Sequence, residues 1–155
     1  MNDVLEVPIP VDLGDGTIPI VMVDDDEADR VLVKRFYIRA GLVNPLLQFP
    51  CGAAYLDYLE IVQKDKTPLP AIVLMDINMP RMNGLDTVRT MRLNEYFSNS
   101  PTVVMLTSSD DPRDREQATA VGANGYMLKP YNPSNYLDLF KRLNRDCSLP
   151  CNTDE

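Results

Sequence analysis

Apolar positions along the chain fall into short unbroken runs, separated by longer stretches of helical period. "PIVMV" (19–23), "PLLQF" (45–49), "AIVLM" (71–75), "PTVVML" (101–106) and "GYML" (125–128) read as strands. Runs that are continuous rather than alternating mark strands covered on both faces. Residues 27–40 place Ala28, Val31, Leu32, Phe36 and Ala40 on one helical face, which Gly41 ends. A helix over about 53–63 carries Leu56, Leu59 and Ile61, and Asn83-Gly84 opens another bearing Leu85, Val88 and Met91. A polar helix covers about 112–121 and stops at Gly122. Pro133 fits the first turn of the last helix, with Leu137, Phe140 and Leu143 inward. Strands alternating with helices predict an α/β fold, a parallel sheet with helices on both faces. Residues 1–18 contain the turn-prone "DLGDG" and no sustained period, so they read as an N-terminal extension. Residues 147–155 read as a C-terminal tail, leaving 19–146 as the domain.

The strands share one feature at their ends. The first stops at Asp24-Asp25-Asp26, the third at Asp76, the fourth at Thr107-Ser108 and the fifth at Lys129-Pro130. Ligand sites of open α/β sheets lie at the carboxyl ends of the strands, so these groups share one rim. Taken singly, each has an ordinary reading. The acidic triplet is a solvated loop with Asp26 a turn or cap residue, Asp76 a turn or N-cap residue, Thr107 a helix cap, Lys129 a surface lysine and Tyr126 a core residue. Their arrival together gives them a chemistry. Carboxylates about 4 Å apart repel by roughly 4 kcal/mol per pair at an effective dielectric near 20, a cost that a hard cation removes. Mg²⁺ suits one or two carboxylates plus water and a phosphate oxygen. With a lysine and a hydroxyl facing that phosphate, one remaining carboxylate can act as a phosphoryl-accepting nucleophile. On this reading Asp76 is not buried but stands on the floor of a site.

Composition narrows the function. The net charge of −8 excludes the basic face that a phosphate-backbone binder needs. The chain holds no histidine, which rules out Ser-His-Asp and Cys-His catalysis and the usual zinc sites. Three cysteines at irregular spacing suit reduced thiols, and with no 18-residue apolar stretch or leader the chain reads as cytoplasmic, with no membrane contact.

"IVMVDDDEADR", "IVLMDINMPRMNGLDTVRTMR", "VVMLTSSDD" and "GANGYMLKPYNPSNYLDLF" together resemble the successive signatures of response-regulator receiver domains, over about residues 19–145. The resemblance implies a flavodoxin-like sheet ordered 2-1-3-4-5, Asp76 as phosphoacceptor, and Mg²⁺ held by Asp24, Asp25, Asp76 and the backbone carbonyl of Asn78. It further implies that Thr107 and Lys129 contact the phosphoryl oxygens, that Tyr126 is the switch aromatic, and that Lys129-Pro130 is cis. The implied partner is a histidine kinase or phosphotransfer protein, with a homodimer as another output and no nucleic acid. "RLNEYFSNSP" and "LTSSDD" resemble single-domain regulators paired with bacterial phytochrome kinases. The alternative is a small Mg²⁺-dependent aspartate-nucleophile phosphatase. Such enzymes typically carry a second acid two residues after the nucleophile, where this chain has Asn78.

Overall fold

Strands β1 (Ile20–Val23), β2 (Leu46–Phe49), β3 (Ile72–Asp76), β4 (Thr102–Thr107) and β5 (Gly125–Leu128) pair in parallel, in the order β2-β1-β3-β4-β5. Helices α1 (Glu27–Arg39), α2 (Gly52–Asp65), α3 (Gly84–Leu93), α4 (Pro112–Ala120) and α5 (Asn135–Arg145) connect or follow them, with a short 3-10 turn at Glu95–Phe97. The computed structural model describes residues 12–108, 111–132 and 134–145. Pro133, the expected start of the last helix, lies outside these residues, as does the tail with Cys147 and Cys151. Among the described residues no helix is long and apolar enough to cross a membrane.

Side-chain alternation divides the core between the two faces of the sheet. Ile20, Met22, Ile72, Leu74, Val104, Leu106 and Met127 pack against α1 and α5. Val21, Val23, Val73, Met75, Val103, Met105 and Tyr126 pack against α2, α3 and α4. In β3 the residues Ile72 to Met75 are all at 0% exposure. Each contributes about 1.5–3 kcal/mol of burial, which fixes where the next residue, Asp76, must stand.

Several helical faces differ from the pattern reading. In α1 the buried residues are Val33 and Tyr37, followed by Ala40, while Val31 is half-exposed. The shift follows from Tyr37, whose ring packs edge-on against Phe140 at 5.1 Å while its hydroxyl donates to the Asn44 carbonyl at 2.7 Å. A tyrosine that finds a buried acceptor can serve as core. In α2 the inward stripe is Tyr55, Leu59 and Val62, and Ile61 is exposed. In α5 Tyr136 and Leu139 join Phe140 and Leu143, with Leu137 only partly buried.

Residues 12–18, expected as an unpacked extension, turn back onto the domain. Leu13 is buried in the α1–α5 face, and the Asn44 side-chain amide donates to the Leu13 and Ile18 carbonyls at 2.9 and 2.8 Å. The "DLGDG" turns are held by Asp12 and Asp15, whose carboxylates accept from Gly14 and Thr17 N–H groups. No period could have revealed a single buried leucine tied down by a distant asparagine.

Candidate functional site

Strand parity aims the site. Met22, Leu74 and Met127 point toward α1 and α5, so two residues on, Asp24, Asp76 and Lys129 begin on that same side. The ladder runs on past the strand ends, with Asp24 N–H donating to the Phe49 carbonyl and Lys129 N–H to the Thr107 carbonyl. Each side chain is thus held by continued sheet pairing rather than by a free loop.

The carboxylates of Asp24, Asp25 and Asp76 each place an oxygen within 4.8 Å of the others. Asp24 and Asp76 are buried, at 0% and 3% exposure, and Asp25 is exposed. The expectation that Asp76 is unburied is therefore corrected. It completes β3, opposite Leu106 of β4, and the packed strands on either side exclude water from most of it. Its charge is answered locally: Asn78 N–H donates to Oδ1 at 3.2 Å, and Lys129 Nζ donates to Oδ2 at 3.2 Å. Asp24 Oδ1 accepts from Asp26 N–H at 2.9 Å, and Arg30 donates to the Asp24 carbonyl at 2.7 Å.

Asp24 Oδ2 is different. It is buried without a hydrogen-bond partner among the described residues, although Lys129 Nζ lies 3.3 Å away as an ion pair. The ammonium is near enough to attract it, but their geometry is not that of a hydrogen bond. An oxygen that gives up hydration without a bond marks a place prepared for another positive partner. With Asp25 and Asp76 alongside, the donors are hard oxygens only, the set that suits Mg²⁺ rather than a thiolate-seeking or imidazole-seeking metal.

Electrostatics carry the same imprint. Burial pushes the Asp24 carboxyl up to about 6, against the pull of the Asp26 N–H and Lys129. Burial likewise raises Asp76, with Lys129 and the Asn78 N–H opposing. For Lys129 burial disfavours the charge, but Asp24, Asp29 and Asp76 more than offset it and hold its pKa above the ordinary lysine range. The pocket therefore contains a permanent ammonium among crowded carboxylates.

The other expected residues fall nearby but not all in the cluster. Thr107 is buried at the end of β4, one residue past the partner of Asp76, on the side of Met105. Tyr126 pairs with Met105 on that same side, and its ring is already inward at 5% exposure under the Arg115 guanidinium, whose carbon is 5.3 Å from its centroid. The expected cis bond at Lys129-Pro130 is also corrected. The cis bond found is Ser100-Pro101, and Lys129 reaches the carboxylates without one.

Two residues escaped the sequence reading. Asp29 accepts from Lys129 Nζ at 3.1 Å; it stands one helical turn after Asp25, a spacing that could have flagged it. Gly84 was read only as a helix start. A Cβ there would collide with the Asp76 carbonyl, so only glycine lets α3 begin against the backbone of β3.

A family model described as "Response regulator receiver domain" matches residues 20–141. The probable methanogenesis regulatory protein FilR2 of Methanothrix harundinacea is 31% identical over 111 residues, 72% of this chain and 71% of that one. A solved response regulator in red light signaling of R. palustris is 30% identical with a TM-score of 0.70, over 87% of this chain and 100% of that one. The bacteriophytochrome response regulator RtBRR is 31% identical with a TM-score of 0.67, over 82% of this chain and 78% of that one. The chain spans about half the length of the curated transcriptional regulators it matches. By sequence, fold and strand order, the chain belongs to the response-regulator receiver family.

Proposed function

We propose that Asp76 accepts a phosphoryl group from a histidine kinase or phosphotransfer protein, and that the chain signals through protein contacts. The observation that carries this is the single ammonium of Lys129 shared by carboxylates at the carboxyl edge of the sheet. An Asp76 oxygen attacks phosphorus, the P–N bond to the donor imidazole breaks, and its electron pair stays on the leaving nitrogen. Asp24, Asp25, Asp76 and the Asn78 carbonyl would hold Mg²⁺, which when bound would neutralise the crowded carboxylates and the incoming phosphoryl oxygens. Lys129 pairs with a phosphoryl oxygen, and the Thr107 hydroxyl donates to another. Because Tyr126 lies on the Thr107 side, that bond favours the inward ring already present and fixes the surface around α4 for a partner or a second copy. Likeness to bacteriophytochrome regulators supports a phytochrome-type kinase as donor.

Acetyl phosphate with Mg²⁺ is expected to add one phosphoryl group per chain, read by intact mass, and Asp76→Asn to take none. Equal modification of the variant would overturn the assignment. Asn78 cannot protonate a leaving group, so the phosphatase alternative requires sustained p-nitrophenyl phosphate turnover, which is not expected.

A further inference from the structure

Lys129 contacts a carboxylate that the acceptor chemistry does not call for. Its closest acidic oxygen is Asp29 Oδ2, at 3.1 Å, against 3.2 Å for Asp76 and 3.3 Å for Asp24. Asp29 lies in the first turn of α1, with its side chain about a third exposed. Beside the pair is a cavity of about 40 Å³, lined by Asp29, Lys129, Pro130 and Tyr136 among others. Tyr136 also lines it, and the buried Tyr136 hydroxyl has no hydrogen-bond partner among the described residues. The cavity leaves the ammonium room on the Asp29 side, while it still donates to Asp76.

We propose that Asp29 is a positioning residue that draws the Lys129 ammonium off Asp76 and so restrains phosphoryl acceptance. This rests on Asp76 being the acceptor and adds a competitor for its lysine. An ammonium has three donors. Here two bond Asp29 and Asp76, and the charge is divided among three carboxylates. A phosphoryl group arriving at Asp76 must win the ammonium from Asp29, and Asp29 itself repels it.

Without the Asp29 charge, both effects act in one direction on an anion and in the other on a cation. An anion at Asp76 gains a less divided ammonium and loses a repulsive neighbour. A cation at Asp24 and Asp25 meets an ammonium leaning further toward its ligands and loses an attractive charge. Misfolding or loosening would weaken both, so opposite shifts are a signature that a merely structural role does not give.

The experiment is beryllofluoride titration followed by ¹⁹F NMR at saturating Mg²⁺, with Mg²⁺ affinity measured separately by calorimetry. Asp29→Asn is expected to bind beryllofluoride roughly two- to fivefold more tightly and Mg²⁺ more weakly, the scale of a partly exposed ion pair. Asp29→Glu should return both values toward the parent. If the parent binds beryllofluoride and Asp29→Asn binds it equally or less well, the role of Asp29 is refuted while the acceptor reading stands. If the parent itself binds none, the acceptor reading fails and this inference falls with it.

Discussion

At the carboxyl edge of the sheet three carboxylates share one ammonium; at the amino edge one guanidinium is shared by four oxygens. Arg92, at the end of α3, donates to the carbonyls of Gly122, Phe97 and Pro101 and to Asn124 Oδ1, at 2.9–3.1 Å. Asn124 Oδ1 in turn accepts from Val103 N–H at 2.8 Å, where β4 begins. In that network every oxygen has a donor, and Asn124 Oδ1 has two. The carboxyl edge does not close: among the described residues Asp24 Oδ2 has no hydrogen bond, and like charges stand together. A fold needs only one of its ends to be saturated. The other can hold polar groups in excess, at a cost in stability, and it is there that an ion or a phosphoryl group has something to satisfy.

Substitutions at the two edges should therefore differ in sign as well as size. The largest effect is expected at Arg92. Alanine there removes donors from four oxygens around the loops leading into β4 and β5, and half-buried acceptors left bare cost about 1–3 kcal/mol each where water cannot follow. A net loss of about 2–4 kcal/mol in urea unfolding is expected. A loss below about 0.5 kcal/mol would mean that solvent replaces the guanidinium and that the amino edge is not a structural clamp.

Gly84→Ala comes next and probes the junction of strand and site. The new methyl meets the Asp76 carbonyl, so either α3 or Asp76 must move. Overpacking against backbone costs about 1–3 kcal/mol. Because the displaced atoms belong to Asp76, the rate of phosphorylation by acetyl phosphate should fall as well. A variant with lowered stability and unchanged acceptor chemistry would show that α3 yields instead.

How much of this was legible beforehand follows from where each constraint acts. Strand runs and strand-end residues are local in sequence, so the sheet and the set Asp24, Asp25, Asp76 and Lys129 could be read from the chain. The helical faces were less legible, because hydrophobic scoring counts Val31 and Ile61 as core and overlooks Tyr37 and Tyr55. Tyrosine can serve as core where an acceptor takes its hydroxyl, as the Asn44 carbonyl does for Tyr37 and the Met91 sulfur for Tyr55. Contacts of Asp29 and Arg92 were hard to read because Lys129 lies 100 residues from Asp29, and Gly122 and Asn124 lie 30 and 32 residues from Arg92. The burial of Asp76 is a property of the packed sheet and not of its neighbours in the chain.

The smallest expected effect is also the one that runs against intuition. Asp24→Asn should stabilise the metal-free protein by about 1–2 kcal/mol at pH 7.5. The folded-state carboxyl titrates at about 6, above its ordinary value of 3.8, chiefly because of burial. Above pH 6 the folded protein therefore carries a charge that the unfolded chain keeps solvated, and the penalty is fully present at neutral pH. As pH falls through 6 toward 3.8 the folded carboxyl takes up a proton first, the penalty fades, and the advantage of asparagine should fade with it. Asparagine keeps an oxygen for the Asp26 N–H, so the turn into α1 is preserved. Adding Mg²⁺ should close the gap from the other side, because an ion that binds only the folded parent stabilises it by mass action. Melting temperatures of parent and variant at pH 7.5 and pH 5, with and without Mg²⁺, decide the matter. If the variant melts below the parent at pH 7.5 without metal, the pairing of Asp24 with Lys129 outweighs its burial. The carboxyl edge would then be as well satisfied as the Arg92 end.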